Sequence, residues 1–163
     1  MKLFASVNAS VSQLLFVWLL LSMFTYAEKV EIISDDMYAE NIKKEIHFLG
    51  NVKIKQLENW IDADKVIVYF NENNETNKYE ALGNVKFEFK DVKNHYKGST
   101  NTLVYLPIES KYTLTGKAMI DDIANKRHIN GNKIILDMIS GNAKVHGSKK
   151  KPVKFIFDME NAK

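Results

Sequence analysis

The sequence predicts an antiparallel all-β fold built from repeated strand pairs. The main observation is a phrase in which a glycine precedes an alternating strand, with glycines 33, 33 and 25 residues apart at Gly50, Gly83, Gly116 and Gly141. Apolar and polar residues alternate with a period of two, as in 85–90, and no stretch beyond the N-terminal apolar segment has a helical period. The short connections leave no room for the crossover helices that parallel strands need.

The first 27 residues are predicted to be a signal peptide. Lys2 supplies a positive charge, and the apolar run 14–24 is shorter than the roughly 20 residues that a membrane span needs. Small residues end at Ala27, so we expect cleavage before Glu28 and export of the remaining chain. The alternative is an uncleaved membrane anchor that starts near Val7.

Residues 28–163 are predicted to form one domain of ordinary size. The chain has no cysteine, so this exported domain must be stabilised by a continuous core and strand pairing, without disulfides. Charge is nearly balanced, with 23 basic and 20 acidic residues, and Arg127 is the only arginine. The sequence therefore lacks the concentrated basic face of a nucleic-acid-binding protein, and Lys149–Lys151 is interpreted as a solvated turn.

The elements follow in chain order, about nine or ten strands in all. A strand at 30–32 precedes the turn-prone 34–36, and the polar segment 71–77 is a second predicted turn. Pro107 ends a strand because it cannot donate to the strand ladder. The other predicted strands are 46–54, 64–70, 85–90, 101–106, 119–120, 133–136, the segment after Gly141, and 153–157.

A second phrase lies between the glycine phrases. It appears at 61–68 and 129–136, with a looser copy at 96–105. Each repeat unit is therefore one strand of each type, a hairpin-like pair. The recurring glycines permit a bend or a close approach of two backbones, although any single one is most simply a turn residue.

No combination of residues predicts catalysis or metal binding. Asp62 and Asp64 lie two apart, on one face of a strand, but asparagines occupy the equivalent positions 130 and 132, and these cannot do acid–base chemistry. A structural role in turn hydrogen bonding fits all copies. The four histidines have no metal-site spacing, and no nucleophile or phosphate-binding motif is present. We therefore expect no enzyme activity, no cofactor and no metal.

The alternating apolar side chains project to one side of the predicted sheet. They form either an ordinary closed core or the lining of an open trough, and spacing alone does not separate the two. If the trough is open, the predicted groove-facing residues are Val30, Ile32, Val52, Ile54, Val66, Val68, Val85, Phe87, Phe89, Leu103, Tyr105, Ile120, Ile134 and Leu136.

Together these phrases resemble a known family. The segment 48–54 followed by 61–68 closely resembles the start of the LptA (OstA-like) family of periplasmic lipopolysaccharide-transport proteins. The segments 30–35, 96–105 and 112–118 occur in the order in which that family has them, and 129–134 continues it. The similarity extends over about 30–145, whereas 149–158 departs from the family pattern.

The resemblance implies a V-shaped β-jellyroll, or taco, that holds the acyl chains of lipid A between two sheets. Val30, Ile32, Phe87, Leu103 and Tyr105 would point into the groove by matching position. The Asp-Lys pair at 64–65 is a family hallmark without an assigned binding role. The implied partners are lipopolysaccharide, an LptC-like inner-membrane protein, an LptD-like outer-membrane protein and further copies joined head to tail.

Two alternatives follow from the same sequence. One is an LptC-like protein of the same fold that keeps its N-terminal apolar segment as a membrane anchor. The other is an exported β scaffold with a closed core that binds no lipid.

Overall fold

The computed structural model describes residues 29–92 and 94–158, which form one antiparallel sheet of ten strands. This confirms the all-β antiparallel prediction. The predicted signal peptide lies outside the described residues, and no helix within 29–92 and 94–158 is long and apolar enough to cross a membrane. The strands are β1 (Glu31–Ile33), β2 (Asp36–Glu40), β3 (Glu45–Gln56), β4 (Asn59–Phe70), β5 (Thr76–Lys90), β6 (His95–Leu106), β7 (Lys111–Asp122), β8 (Arg127–Asp137), β9 (Asn142–His146) and β10 (Lys154–Phe157).

A line of β-bulges crosses the middle of the sheet. The strand register shifts by one residue at 50–51 in β3, 83–84 in β5 and 116–117 in β7. At each site a glycine with φ between +74° and +79° precedes a second residue with positive φ. A bulge bends its strand and increases its twist. The residues opposite the bulges on the intervening strands are 64 of β4, 101 of β6 and 132 of β8. The three bulges and these residues form one line across the sheet. The sheet folds along this line, which we call the crease.

Polar side chains hold the crease in place. Asn84 Nδ2 donates a 2.8 Å hydrogen bond to Asp64 Oδ2, and Asn51 Nδ2 donates an equivalent 2.8 Å bond to Asp35 Oδ2. A Cβ atom at Gly83 would lie 2.4 Å from the same Asp64 oxygen, so only glycine fits there. Asp64 therefore has the predicted structural hydrogen bond, but it lies in β4 opposite a mid-strand bulge, where a turn was expected.

The crease divides the sheet into two walls of eight strand segments each. Wall 1 consists of β2, β9 and the segments 45–49, 65–70, 76–82, 102–106, 111–115 and 133–137. Wall 2 consists of β1, β10 and the segments 52–56, 59–63, 85–90, 95–100, 118–122 and 127–131. The walls face each other, since one core cluster contains residues of both and the Phe89 ring of wall 2 lies 4.8 Å from the Tyr112 ring of wall 1.

Two local predictions need correction. The segment after the turn-prone 34–36 is strand β2, which begins at Asp36 and pairs with residues 45–49 of β3. Gly141 does not belong to the crease. It has a φ of +70° in the loop between β8 and β9, and a Cβ atom there would meet nothing within 4 Å. Its spacing of 25 residues, against 33 for the others, reflects this different position.

Candidate functional site

The bottom of the trough, next to the crease, is filled by protein. Eight large inward-facing side chains there are less than 2% exposed, and we call them the floor residues: Val52, Val66, Val85, Phe87, Leu103, Leu114, Ile120 and Ile134. Burial on this scale is worth about 1.5–3 kcal/mol for each side chain. The floor residues therefore behave as an ordinary hydrophobic core.

The opposite side of the trough, where the two walls end, is partly open, and we call it the mouth. Inward-facing side chains near the mouth are larger and only partly buried. Towards the N-terminal strands, a cavity of about 270 Å³ is bordered by Val30, Trp60 and Ile61 on wall 2 and by Tyr79 and Tyr105 on wall 1. Its surface is mainly apolar and both walls contribute to it, as a lipid-holding trough requires.

A second cavity, of about 480 Å³, lies towards the C-terminal strands. Ile129 and Phe155 of wall 2 face Leu136 and Val145 of wall 1 across it. Phe155 stacks on Phe157 at a ring-centroid distance of 5.4 Å, and about half of each side chain is exposed. The C-terminal end of the trough therefore presents an uncovered aromatic surface.

Three aromatic rings lie between the two cavities and bridge the walls. The Tyr112 ring of wall 1 lies 4.3 Å from that of Tyr105, its neighbour on the same wall, and contacts Phe89 of wall 2. We call Phe89, Tyr105 and Tyr112 the aromatic clasp. Burial of the phenols raises the pKa of both Tyr105 and Tyr112. At the clasp, contacts between side chains of the two walls close the mouth.

Two buried polar side chains, Thr100 and Asp122, are already paired. Thr100 Oγ1 donates to the carbonyl oxygen of Thr115 at 2.9 Å. The buried carboxylate of Asp122 accepts hydrogen bonds from Arg127 Nη2 at 2.7 Å and Nε at 3.1 Å, so the single arginine is neutralised by its own chain. This arrangement offers the trough neither a free nucleophile nor an unpaired acid, among the residues described.

Of the fourteen predicted groove-facing residues, thirteen belong to the core cluster or pack against it, and Val30 borders the N-terminal cavity. Contact of these residues with lipid stays a prediction. Sequence reasoning missed Tyr79, Tyr112 and Ile129. For Tyr112 a signal existed, because Tyr112 and Leu114 alternate as a strand does, but the predicted strand began only at Met119.

Outside the trough, one cluster of potential metal ligands lies on wall 1. The carboxylates of Glu40 and Glu45 lie near His47, and their ligand atoms fall within 4.8 Å of one another. Lys43 Nζ already binds Glu40 at 2.7 Å, and His47 Nε2 lies 3.0 Å from Glu45 Oε2. These pairs account for the cluster without an ion, and we assign it no function.

Comparisons with known proteins agree with this geometry. Residues 31–142 match the family described as LptA/(LptD N-terminal domain) LPS transport protein. The fold is similar to that of LptH from Pseudomonas aeruginosa, described as the LptA-homologous periplasmic component of the lipopolysaccharide transport device. That similarity has a TM-score of 0.70 at 14% identity and covers 81% of this chain and 96% of that chain. No curated protein sequence matches the chain.

Proposed function

Because the chain belongs to the LptA/(LptD N-terminal domain) family of lipopolysaccharide-transport proteins, we propose that it shields the acyl chains of lipid A between its two walls. Membership in this family also identifies it as a transport protein and not an enzyme. The observation that carries the proposal is the pair of cavities at the mouth, one on each side of the aromatic clasp; the N-terminal cavity is mainly apolar, and the C-terminal cavity has apolar residues of both walls beside the charged pair Asp122 and Arg127.

The energetics require such a cover. Each acyl methylene that leaves water gains about 0.8 kcal/mol, so a chain of about a dozen exposed methylenes would cost on the order of 10 kcal/mol. The floor residues leave no space next to the crease, so we place the acyl chains at the mouth. Several chains exceed the present cavities, and binding would therefore separate Phe89 from Tyr112 and widen the mouth.

We further propose that copies join end to end in the periplasm and form a bridge from the inner to the outer membrane. Both ends of the sheet have free strand edges, β1 and β2 at one end and β9 and β10 at the other, where a partner strand can add by β-augmentation. The charges of the two ends are complementary. Glu31, Asp35 and Asp36 are exposed at the first end. The second end exposes Lys144, Lys149, Lys150, Lys151 and Lys154.

The same edges would join the bridge to its membrane partners, an LptC-like protein at the inner membrane and an LptD-like protein at the outer membrane. In this proposal residues 1–27 are removed and 28–163 form the periplasmic domain. The LptC-like alternative differs from the soluble bridge because it keeps its N-terminal apolar segment as an anchor. N-terminal sequencing of the exported protein distinguishes the two. A start at Glu28 supports the soluble bridge, and retention of residues 14–24 supports the anchored protein.

Photo-crosslinking tests the lipid site. We expect a photoreactive residue at Tyr105, which borders the N-terminal cavity, to capture lipopolysaccharide. Its neighbour Val104 is the matched control, because alternation along β6 turns it to the outside of the trough. Equal capture at both positions, or none at either, would contradict the proposal and leave an exported β scaffold.

A further inference from the structure

The crease extends across the sheet from its first strands to its last. Asp35, between β1 and β2, continues it at the N-terminal end, because it lies opposite the bulge at 50–51. Single polar residues and bulges therefore alternate along the crease. The order is Asp35, the bulge at 50–51, Asp64, the bulge at 83–84, Asn101, the bulge at 116–117 and Asn132.

At the C-terminal end, a longer segment takes the place of a fourth bulge. β9 ends opposite residue 133 of β8, and β10 begins opposite residue 130, so residues 147–153 lie beside Asn132. The crease thus begins with a single polar residue, Asp35, and ends with a segment of the bulge type. Its two ends are different in kind.

The segment 147–153 is folded into a compact turn. Ser148 N donates to the carbonyl oxygen of Lys151 at 2.8 Å, and Lys151 N donates to that of Ser148 at 3.1 Å. A Cβ atom at Gly147 would lie 2.8 Å from the backbone nitrogen of Val153, so the two ends of the segment are in close contact. We call residues 148–151 the lysine turn, since the two residues at its tip are exposed lysines and a third lysine ends it.

The two ends of the crease carry opposite charges that have no ion pair in the chain. In the part of the chain that the structure describes, no salt bridge involves Asp35, Asp36 or a lysine of the lysine turn. By contrast, Asp122, Glu58 and Glu109 each pair with a basic side chain of their own chain. The charges at the ends of the crease are therefore available to another molecule.

Asp35 is held from within the sheet. Asn51 Nδ2 donates a 2.8 Å hydrogen bond to its carboxylate, and its own backbone N–H donates to Gly50 O at 3.0 Å. Among the described strands none lies on its other side, because β1 and β2 form the edge of the sheet. A carboxylate accepts up to about four hydrogen bonds, so Asp35 keeps acceptor capacity towards this open side.

We infer that the lysine turn of one copy binds Asp35 and Asp36 of the next copy and thereby aligns the two creases. This inference rests on the end-to-end joining proposed above. A second copy placed in line brings its Asp35 next to the lysine turn, and the alternation of polar residues and bulges then continues across the joint. Wall 1 continues wall 1 and wall 2 continues wall 2, because β9 and β2 belong to wall 1 and β10 and β1 to wall 2.

The chain directions agree with this alignment. β9 leads from the mouth of wall 1 to the crease, and β10 leads from the crease to the mouth of wall 2. β1 and β2 run the opposite way, from the mouth of wall 2 to the mouth of wall 1. A joint aligned at the crease is therefore antiparallel, like the strand pairs within the described sheet.

Other contacts of the lysine turn fit less well. The turn lies at the crease, on the side of the trough opposite the mouth, so a lipid held at the mouth does not reach it. Joining two C-terminal ends would bring two lysine turns together, and joining two N-terminal ends would bring Asp35 and Asp36 of both copies together. Like charges in contact oppose both arrangements. The charges at the crease therefore give the bridge a single polarity.

Disulfide cross-linking of the full chain tests the alignment. The protein has no cysteine, so Ser34→Cys and Ser148→Cys introduce one thiol at each end of the crease. We expect oxidation to give a ladder of covalent oligomers, because the two thiols of one chain lie at opposite ends of the sheet and meet only between copies. Ser34→Cys with Ser140→Cys is the matched control. Residue 140 lies in the loop between β8 and β9, at the mouth of wall 1, and should give little cross-linked product.

Charge reversal tests the contact itself. The reversed-turn variant combines Lys149→Glu, Lys150→Glu and Lys151→Glu. The reversed-edge variant combines Asp35→Asn with Asp36→Lys, and the asparagine keeps an oxygen for the bond from Asn51. We expect the dissociation constant for self-association, measured by sedimentation, to rise about tenfold or more in each variant, and a mixture of the two variants to associate again.

A control variant has the same change in net charge as the reversed-turn variant, at three lysines away from both ends of the sheet. It combines Lys86→Glu, Lys117→Glu and Lys126→Glu. Self-association of this control should be unchanged. Capture of lipopolysaccharide at Tyr105 should persist in the reversed-turn and reversed-edge variants, since neither alters the N-terminal cavity.

The outcomes separate this inference from the joining on which it rests. Self-association that is insensitive to both reversed variants would overturn the crease contact while end-to-end joining stands. A ladder that forms as readily through residue 140 as through residue 148 would overturn the alignment in the same way. A chain that stays monomeric at every concentration would overturn both proposals.

Discussion

The crease and the mouth are built from the same strands, yet they differ in backbone conformation, in side-chain burial and in the presence of cavities. Along the crease, bulges with positive φ, a close Asp64–Gly83 contact and floor residues with almost no exposure fix the backbone. Along the mouth, the walls touch mainly through aromatic side chains, and cavities remain on both sides of the clasp. One folded sheet can therefore be stabilised at its crease and remain able to bind a ligand at its mouth.

This division has a physical reason. A folded sheet can widen at its mouth at a low cost in free energy only if its crease does not have to move. The crease is stabilised by burial of the floor residues. Separating Phe89 from Tyr112 exposes two rings, and incoming acyl chains would cover them again. The account therefore predicts large effects on stability from changes at the crease, and effects on binding from changes at the mouth.

The largest expected effect comes from Phe87→Ala, which removes a floor residue. The free energy of unfolding should fall by about 3–5 kcal/mol, because a buried aromatic ring is lost and a cavity remains. Urea unfolding measures this. Phe157→Ala, at the half-exposed C-terminal end, is the matched control and should cost less than about 1 kcal/mol. Equal losses would show that the two regions do not differ.

A smaller effect is expected at the glycines. Gly83→Ala should cost about 2–4 kcal/mol, because the new Cβ lies in a left-handed backbone and would approach Asp64 Oδ2 to 2.4 Å. Gly141→Ala, also at positive φ but with open space around it, should cost only about 1–2 kcal/mol. If the two variants are equally stable, the close contact at the crease has no energetic importance.

The smallest effect is confined to alkaline pH and concerns the clasp. Burial raises the pKa of the Tyr112 phenol above its value of about 10 in the unfolded chain, so the unfolded state loses this proton first. Linkage then makes the free energy of unfolding decrease as pH rises beyond about 10, with no contribution below it. Tyr112→Phe should flatten that decrease and leave neutral-pH stability nearly unchanged. If the free energy of unfolding decreases with pH as steeply in this variant as in the unchanged protein, the Tyr112 phenol is exposed to water in the folded state.

The fold class and the inward-facing residues were readable from the sequence, whereas the crease and the mouth were not. A glycine phrase repeated every 33 residues and strict alternation are local signals, and they predicted the fold class and the inward-facing residues. The bulges were not predicted, because a Gly-Asn pair reads as a turn until its neighbouring strands are known. Strand β2 was missed for a similar reason, since its first residue, Asp36, completes a turn-like sequence and only pairing with β3 makes the segment extended.

The alternation of apolar residues also could not distinguish a core residue from a residue of the candidate lipid site. Phe87 and Phe89 alternate identically along β5, yet Phe87 is 1% exposed on the floor and Phe89 belongs to the clasp. Their difference depends on distance from the bulge at 83–84, which is a property of the folded sheet.

We propose that acyl chains widen the mouth while the crease stays fixed. Spin labels at Leu57→Cys and Ile108→Cys report the distance across the mouth, and labels at Ile108→Cys and Ile139→Cys, in two loops at the mouth side of wall 1, report a distance along that wall. With lipopolysaccharide bound, we expect a longer distance across the mouth and an unchanged distance along wall 1. A bound state in which the distance across the mouth stays the same, or in which both distances change together, would contradict it.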